Sequence, residues 1–371
     1  KKYEMAVDVC DRLLSEDEGY YPAYLIRQEA CYYIRRAQQV VDDYYDAIRI
    51  YPGYYKPYLF AAKIFFNYSQ YEDAKGVVDR AKENQVEFSA QLRLYEIKIL
   101  RNLAESKEER ELPKKLIAEL TKQLDDENCD IEDKSEVAYE AGLLYWDDNE
   151  YEEALGFFKE VIEADPESPA AYYCAGCIYQ DMNREDEAVE SFEKVLKLDE
   201  NYRNTLHKLF VIYRRRYQNK NRKADYEKAL HYVNKDIEYS EDNDPYFYRA
   251  LIYDDAMEIE LALKDYEAYL KDFPDSRAAY GNMGFGYRAM GEYEKALECF
   301  VKAKSLMKEK TESSSVYYQM AKCYMALKQY DKALEEALEG HTLFADDEDY
   351  WDLLAEIYVK MERYDEALEH Y

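Results

Sequence analysis

Apolar and small residues recur at helical spacing in the stretch 135–167, in two runs separated by a short polar break. In the first run Ala141 and Tyr145 are four residues apart, and in the second run Ala154 and Phe158 have the same separation. Residues four apart lie on one face of a helix, so each run predicts an amphipathic helix.

A polar turn joins the two predicted helices, and a proline ends the second. Asp147, Asp148 and Asn149 are residues typical of turns, and Pro166 cannot donate to the helical hydrogen-bond ladder. The small residue Gly142 lets the two backbones approach closely. This order of small residue, tyrosine, alanine, phenylalanine and proline resembles the tetratricopeptide repeat, a helix–turn–helix of about 34 residues. One such pair cannot bury its apolar face alone and needs stacked neighbours.

The same pattern returns along most of the chain, in about nine or ten repeats. From Ser135 onward the repeats keep one register, which chance similarity would lose. The repeats begin near Tyr21, Tyr55, Ser89, Ser135, Pro169, Arg203, Asn243, Arg277, Ser314 and Trp351. The opening residues, with Tyr3, Ala6, Cys10 and Leu13 as the apolar face, are expected to form the second helix of a further repeat. The resemblance implies an all-α fold, a right-handed superhelical solenoid of stacked antiparallel helix pairs.

The early repeats depart from the pattern. Gln28 and Val40 stand where small residues are expected. In the repeat near 89–130 the charged stretch Glu105–Glu111 is expected to lengthen the connection between the two helices. Pro113 is then expected in the first turn of the second helix, where its missing N–H costs nothing.

A second irregular stretch, near 214–224, delays a second helix by one or two turns. We therefore divide the chain into residues 1–130, with partly degenerate repeats, and residues 135–371, a regular array with this insertion. Together they are predicted to form a single continuous solenoid. The stretches Glu105–Glu111 and Gln218–Lys223 are its candidate joints.

Length and composition agree with a helical array. The chain has 371 residues, more than the roughly 250–300 at which a single globular core stops growing, and a solenoid escapes that limit. The low glycine and proline counts, 11 and 8, favour helices over a turn-rich β protein. The 43 tyrosines suit thin helical layers, because the ring supplies bulk while the hydroxyl reaches water.

The charge of the chain narrows the class of partner. Its formal net charge is −30, from 50 Lys and Arg and 80 Asp and Glu. Such a surface repels nucleic acid and anionic membranes and favours basic or neutral partners. Seven scattered cysteines show no disulfide framework, so we expect a reducing, cytoplasmic compartment. Because the sequence begins without Met, a signal peptide or another domain could precede it. No apolar run of about 18 residues predicts a membrane span.

Motifs of catalysis are absent from the sequence. Gly281, Gly284 and Gly286 form G-x-x-G-x-G inside a helical pattern, with no strand before it, so a cofactor loop is not indicated. The four histidines do not pair at a spacing of four residues, which excludes the zinc-protease arrangement. Cys174 and Cys177 form C-x-x-C, but no second pair follows, and buried packing is favoured over a metal or redox half-site. We predict no catalytic residue, no metal and no cofactor.

The remaining candidate is a binding groove. In the family that the chain resembles, the first helix of each repeat lines a concave surface that binds a peptide or protein. The residues expected there are Tyr139, Tyr173, His207, Lys208, Phe247, Tyr248, Asn282, Phe285, Arg288, Tyr318 and Lys322. Tyrosine and arginine are frequent energetic hot spots, and rigid rings can hold an extended or helical peptide. The alternative is that these rings only pack between adjacent first helices.

Some arrays of this family hold acidic C-termini of chaperones with a Lys and an Asn four residues apart in one first helix. Here Lys63 has Leu59 one turn before it, Lys322 has Tyr318, and Asn282 has no such lysine. A carboxylate clamp is therefore not predicted.

A basic island stands out against the acidic background. It consists of Arg214, Arg215, Arg216, Lys220, Arg222 and Lys223. It could hold a phosphate or an acidic peptide through arginine forks. The alternative is that it neutralises neighbouring carboxylates.

These observations favour a non-catalytic scaffold that binds a peptide or protein partner, and no nucleic acid or membrane, in its concave groove. An adaptor or co-chaperone arm of a larger protein, for example beside a J domain, is the alternative. The oligomeric state is left open.

Overall fold

The computed structural model describes residues 2–124, 129–131, 133–309 and 313–369, and within these ranges every regular element is an α-helix. The chain divides into two compact units, Lys1–Leu198 (compact unit 1) and Asp199–Tyr371 (compact unit 2). The helices of compact unit 1 are α1 (Lys2–Glu16), α2 (Tyr21–Tyr33), α3 (Ala37–Ile50), α4 (Tyr55–Asn67), α5 (Tyr71–Glu83), α6 (Ala90–Leu103), α7 (Lys107–Thr121), α8 (Ser135–Asp147), α9 (Tyr151–Ala164), α10 (Pro169–Asp181) and α11 (Glu185–Leu198). Those of compact unit 2 are α12 (Thr205–Lys220), α13 (Lys223–Tyr239), α14 (Asp244–Asp255), α15 (Ile259–Tyr269), α16 (Arg277–Ala289), α17 (Tyr293–Ser305), α18 (Ser314–Ala326), α19 (Tyr330–Leu343), α20 (Asp349–Lys360) and α21 (Tyr364–Glu369).

Consecutive helices pair through tight turns, which confirms the predicted fold of stacked helix pairs. Between α8 and α9 the N–H of Asn149 donates to Trp146 O at 2.8 Å, and the N–H of Glu150 donates to Tyr145 O at 2.9 Å. Asn149 itself is left-handed, with φ 61°. These two bonds close the end of α8, because they satisfy carbonyls that the helix leaves free. The turn predicted at 147–149 is therefore present.

Three of the helix pairs are held together where a glycine of the first helix meets a large ring of the second. The pairs are Gly142 with Phe158, Gly176 with Phe192 and Gly284 with Phe300, and a Cβ atom at these glycines would lie 2.9, 2.7 and 2.6 Å from the ring. All three rings are fully buried. Glycine is required at the eighth residue of these repeats because a side chain would overlap the ring.

Two of the three early repeats fill the eighth position with polar side chains instead, whereas the repeat between them has Ala62 there. Gln28 is buried, and its Nε2 donates to Val40 O at 3.1 Å and to Pro57 O at 3.0 Å. Glu96, also buried, forms an ion pair with Lys82 of the preceding helix at 2.8 Å. These layers therefore replace close backbone contact by specific polar bonds between neighbouring helices.

A buried ion pair recurs at one position in both compact units. Arg27 binds Asp43 through Nη2 and Oδ1 at 2.6 Å, and Arg249 binds Asp265 through Nε and Oδ2 at 2.6 Å and through Nη2 and Oδ1 at 2.8 Å. In each case the arginine is the seventh residue of its repeat and the aspartate the twenty-third. The hydrogen bond with Asp265 raises the pKa of Arg249. Burial raises the pKa of Asp43, and Arg27 opposes that rise.

The structure corrects the interpretation of the stretch Glu105–Glu111. It is not a lengthened connection, because α7 begins at Lys107 and Pro113 lies inside the helix rather than in its first turn. Ser106 caps the helix by accepting from the N–H of Glu109, and the Glu109 side chain binds back to the cap. Charged residues of this stretch form ion pairs with the turn that follows α8, and Nε of Arg110 lies 2.5 Å from Oδ1 of Asp148.

The extra residues near 214–224 extend helices and do not form a linker. α12 continues to Lys220, Asn221 makes the turn with φ +47°, and α13 begins at Lys223. The boundary between the compact units lies at residues 198/199, away from both predicted joints. The division into residues 1–130 and 135–371, and the single continuous solenoid, stay predictions.

The apolar face of α1 differs from the one expected. Val7, Cys10 and Leu14 are buried, whereas Tyr3 and Leu13 are 44% and 39% exposed. The buried residues are spaced three and four apart and form one helical stripe, so the prediction of Leu13 on this face is wrong by one residue.

Candidate functional site

The fifth residues of six successive repeats, from the one that begins at Ser135 to the one that begins at Ser314, form a series along the first helices. These residues are Tyr139, Tyr173, His207, Phe247, Gly281 and Tyr318. All carry a ring except Gly281. We describe the series separately in each compact unit.

In compact unit 1 the rings pack against the protein itself. Tyr139 lies edge-on to Phe158 of α9, with centroids 5.4 Å apart, and its hydroxyl is 3.3 Å from Sγ of Cys174 on α10. Tyr173 is only 9% exposed and packs on Phe192 of α11. Both predicted residues therefore fill space between helices, as the packing alternative describes.

In compact unit 2 the structure brings several predicted residues together. His207 of α12 and Tyr248 of α14 are in ring contact, with centroids 4.2 Å apart. Phe247 packs on Tyr269, with centroids 5.0 Å apart, and belongs to the core around α14 and α15. Tyr318 lies edge-on to a ring of α20 and is half-buried.

Phe285 differs from these rings because it stays accessible. It is 37% exposed and lies edge-on to the buried ring of Phe300, with centroids 5.5 Å apart. It is therefore held in place by the core while part of its ring stays exposed, and its role in binding stays a prediction.

The polar candidates differ in whether the protein already uses them. Asn282 donates to the hydroxyl of Tyr266 at 3.0 Å, and Lys322 binds Glu356 of α20 at 2.6 Å. Lys208 is half-buried on α12. Arg288 is half-buried, and its Nε has no hydrogen-bond partner.

The basic island is largely neutralised. Nε of Arg214 lies 2.5 Å from Oδ2 of Asp255, on α14, and Arg222 binds Asp225 at 2.7 Å. Lys223 lies 3.4 Å from a carboxylate one turn along α13, and Arg215 is exposed. These ion pairs support the alternative that the island balances neighbouring carboxylates.

A cavity of about 730 Å³ lies where α12 and α14 begin and α13 ends. Its lining comprises Asn201, Arg203, Asn204, His207, Asp236, Tyr239, Ser240, Asp242, Asp244, Pro245, Tyr248 and Phe273. The walls thus combine aromatic rings with three carboxylates. Nδ1 of His207 is buried without a hydrogen-bond partner.

Burial and mutual repulsion set the charges in this cavity. Burial raises the pKa of Asp236 to about 6, with further contributions from Asp244 and Asp242. Burial also raises the pKa of Asp244 and lowers the pKa of His207. A cation placed among these carboxylates would relieve their repulsion and favour their ionised forms.

Sequence reasoning missed the carboxylates of this cavity. None of Asp236, Asp242 and Asp244 is among the residues that the sequence predicts for a binding site. Asp242 and Asp244 lie two residues apart where a first helix begins, and this spacing was the one signal of an acidic site in the sequence. Their proximity to Asp236 depends on how the end of α13 packs against α14.

Cys174 and Cys177 are both buried. Across the residues with described positions, no group of three or more His, Cys, Asp or Glu is arranged to hold a metal ion. None of the helices described is both long and apolar enough to cross a membrane.

The stacked helix pairs define a helical repeat protein. Models of the tetratricopeptide repeat match residues 135–168, 169–202, 275–346 and 351–371. These stretches of the chain are therefore tetratricopeptide repeats, and this repeat fold supports a protein-interaction scaffold in general terms.

Several solved structures are similar in fold. YrrB, described as a TPR protein with an unusual peptide-binding site, is 18% identical with a TM-score of 0.43, over 54% of this chain and 98% of its own. PilW, a type IV pilus biogenesis factor, is 16% identical with a TM-score of 0.45, over 60% and 100%. A tetratricopeptide repeat protein from Parabacteroides merdae is 12% identical with a TM-score of 0.46, over 72% and 99%. The search of curated proteins finds no match.

Proposed function

We propose that this protein is a non-catalytic scaffold that binds a peptide segment of a partner protein in the concave groove formed by its first helices. The single observation that carries the proposal is the cavity of compact unit 2, where the predicted residues His207 and Tyr248 meet in an aromatic and acidic lining. A cavity with apolar walls and a few convergent polar groups is the usual form of a ligand site.

The lining indicates the chemistry of the bound side chain. Tyr248 and Phe273 offer aromatic faces. The three aspartates of the lining outnumber its one arginine, Arg203, so the cavity is acidic on balance. An ammonium or guanidinium group gains from both, through cation–π attraction and charge-assisted hydrogen bonds. The partner segment is therefore expected to carry lysine or arginine, which also suits the net charge of −30.

A selection from a displayed library of random peptides tests this proposal. Peptides retained by the full chain are expected to be enriched in lysine or arginine. The double change Asp236→Asn and Asp244→Asn should weaken their binding by about tenfold or more, as loss of charge-assisted contacts does at interfaces. A matched control exchanges Asp331 and Glu335 of α19, outside the cavity, for Asn and Gln, and should leave the affinity unchanged.

The dependence on pH separates cavity binding from general attraction. A bound cation lowers the pKa of Asp236, so affinity should rise as pH increases through about 6. In the variant with both Asp236→Asn and Asp244→Asn, this increase of affinity with pH should disappear. Equal affinities of wild type and variant at neutral pH would refute the cavity as the binding site. The adaptor-arm alternative concerns other domains and stays a prediction.

A further inference from the structure

The series of rings on the first helices of compact unit 2 is interrupted at Gly281. The fifth residue of the preceding repeat is Phe247, and that of the following repeat is Tyr318. Apart from chain neighbours and the backbone of α16 itself, no heavy atom lies within 4 Å of the position that a Cβ at Gly281 would occupy. The space that a ring fills in the other repeats is open here.

Packing does not require a glycine at this position. Gly284 is needed because Phe300 lies against it, and Gly286 lies close to Leu263. Gly281 has no such neighbour, yet a glycine inside a helix costs about 0.5–1 kcal/mol relative to alanine. Its effect on the structure is to leave the space over this position of α16 open, and we call that open space over Gly281 the gap.

The repeat pattern places a side-chain hydrogen-bond acceptor of α18 next to the gap. In two other repeats the ring of the fifth residue meets the sixth residue of the next repeat, as Tyr139 meets Cys174 and His207 meets Tyr248. The sixth residue beyond Gly281 is Gln319, on α18. Its Oε1 is buried without a hydrogen-bond partner. By analogy with those two repeats, a hydroxyl-bearing ring over Gly281 would approach Gln319 and could donate to its unpartnered oxygen once the side chain turns toward it.

Two further side chains follow Gly281 on the same face of α16. Phe285 and Arg288 are four and seven residues later, which is the spacing of one helical face. Phe285 is 37% exposed. Arg288 approaches α18 closely enough to oppose the rise that burial causes in the pKa of Cys323. Within the described residues Arg288 forms no ion pair, although acidic residues are in large excess.

We propose that α16 and α18 recognise a peptide that inserts an aromatic side chain, tyrosine in preference to phenylalanine, over Gly281 and places a carboxylate on Arg288. Residues 281 and 288 are about 10 Å apart along the helix axis at about 1.5 Å per residue. An extended peptide covers that distance in about three residues. The recognised segment thus has an aromatic and an acidic residue about three positions apart. This inference rests on the proposed function, because it names further side chains of the same bound peptide.

The experiment fills the gap with a side chain of the protein. Gly281→Tyr is compared with wild type for binding of peptides selected from the displayed library, by fluorescence anisotropy. We expect Gly281→Tyr to fold normally and to bind more weakly by about tenfold or more, as loss of an aromatic anchor does. Gly76→Tyr is the matched control, because a Cβ at Gly76 of α5 also meets open space. It should bind as wild type does.

Two changes test the individual contacts. Gln319→Leu should weaken peptides that carry tyrosine and spare their phenylalanine versions, since only the hydroxyl uses Oε1. Arg288→Gln should weaken only peptides with an acidic residue. Gly281→Leu gives a second way to fill the gap if the tyrosine variant does not fold.

The outcomes distinguish this inference from the proposed function. If selected peptides bind Gly281→Tyr and Gly281→Leu as tightly as wild type, the gap is not a binding subsite, although peptide binding itself stands. If the wild-type chain retains no peptide from the library, peptide binding is refuted and this inference is refuted with it.

Discussion

Two glycines of α16, three residues apart, are expected to respond to alanine in opposite directions. At Gly281 the new methyl group enters open space, so only the helix propensity changes. At Gly284 the methyl would lie 2.6 Å from Cε1 of Phe300, closer than carbon atoms approach in proteins. The pair therefore measures how tightly the first helix packs on the second.

The magnitudes follow from these contacts. Alanine in place of glycine gains about 0.8–1.0 kcal/mol of helix propensity at either position. At Gly284 this gain is opposed by overpacking, which costs about 1–3 kcal/mol, because the fully buried ring of Phe300 has no free space into which to move. Gly281→Ala should thus be more stable than wild type, whereas Gly284→Ala should be less stable, by up to about 2 kcal/mol.

Urea unfolding followed by far-ultraviolet circular dichroism gives the order of the midpoints. Hydrogen exchange of the α16 and α17 amides adds a local readout, which is needed because repeat arrays do not always unfold in one step. A Gly284→Ala variant as stable as Gly281→Ala would contradict the described contact between the two helices.

Three other predictions concern the ion pair, the cavity and the cysteines. Asp265→Ala leaves Arg249 half-buried without its carboxylate, so the free energy of unfolding should fall by about 3–5 kcal/mol in thermal or urea unfolding. The double change Arg249→Met and Asp265→Leu removes both charges and should lower it by less. An equal loss in the two variants would argue against a buried pair. Because the pKa of Asp236 is raised, its contribution to stability is present below about pH 4 and is lost as pH rises through about 6. At neutral pH the free energy of unfolding of Asp236→Asn should therefore exceed that of wild type by about 1–2 kcal/mol, after allowance for solvent screening. If the difference persisted below about pH 4, the raised pKa of Asp236 would not be its cause. Cys129 is the one cysteine that is not buried and should react first with a thiol reagent, and Cys129→Ser should remove the fast phase.

The repeat fold was readable from the sequence because its contacts are local. Gly142 and Phe158 belong to one helix pair, and their order and spacing recur in later repeats. The start of α7 was not found, although Ser106 and Glu109 have the spacing of a capping box. The sequence analysis expects Pro113 in the first turn of the second helix, whereas the structure places it well inside that helix.

The candidate site was harder to predict from the sequence, because the exposure of a side chain on a first helix depends on how the next repeat packs against it. Tyr173 and Phe285 are both rings of first helices, but one is almost buried and the other is exposed. The partner of Arg214 is Asp255, 41 residues away, and no local pattern connects them. Charge balance between helices of different repeats is therefore visible only in the folded chain.

The buried polar residues at the eighth position limit how the repeats can be exchanged. A repeat that carries Gly142 or Gly176 satisfies this position within its own helix pair, so it could in principle be duplicated or transplanted as a module. Gln28 and Glu96 instead depend on atoms of adjoining repeats, Pro57 O and Lys82 Nζ. A shuffled array that moved either repeat alone would remove one of the polar bonds of a buried side chain, and only the bonds within the repeat, to Val40 O and to Arg93, would remain. The buried polar bonds at the eighth position thus favour one order of the early repeats, whereas the glycines at this position in residues 135–202 favour none.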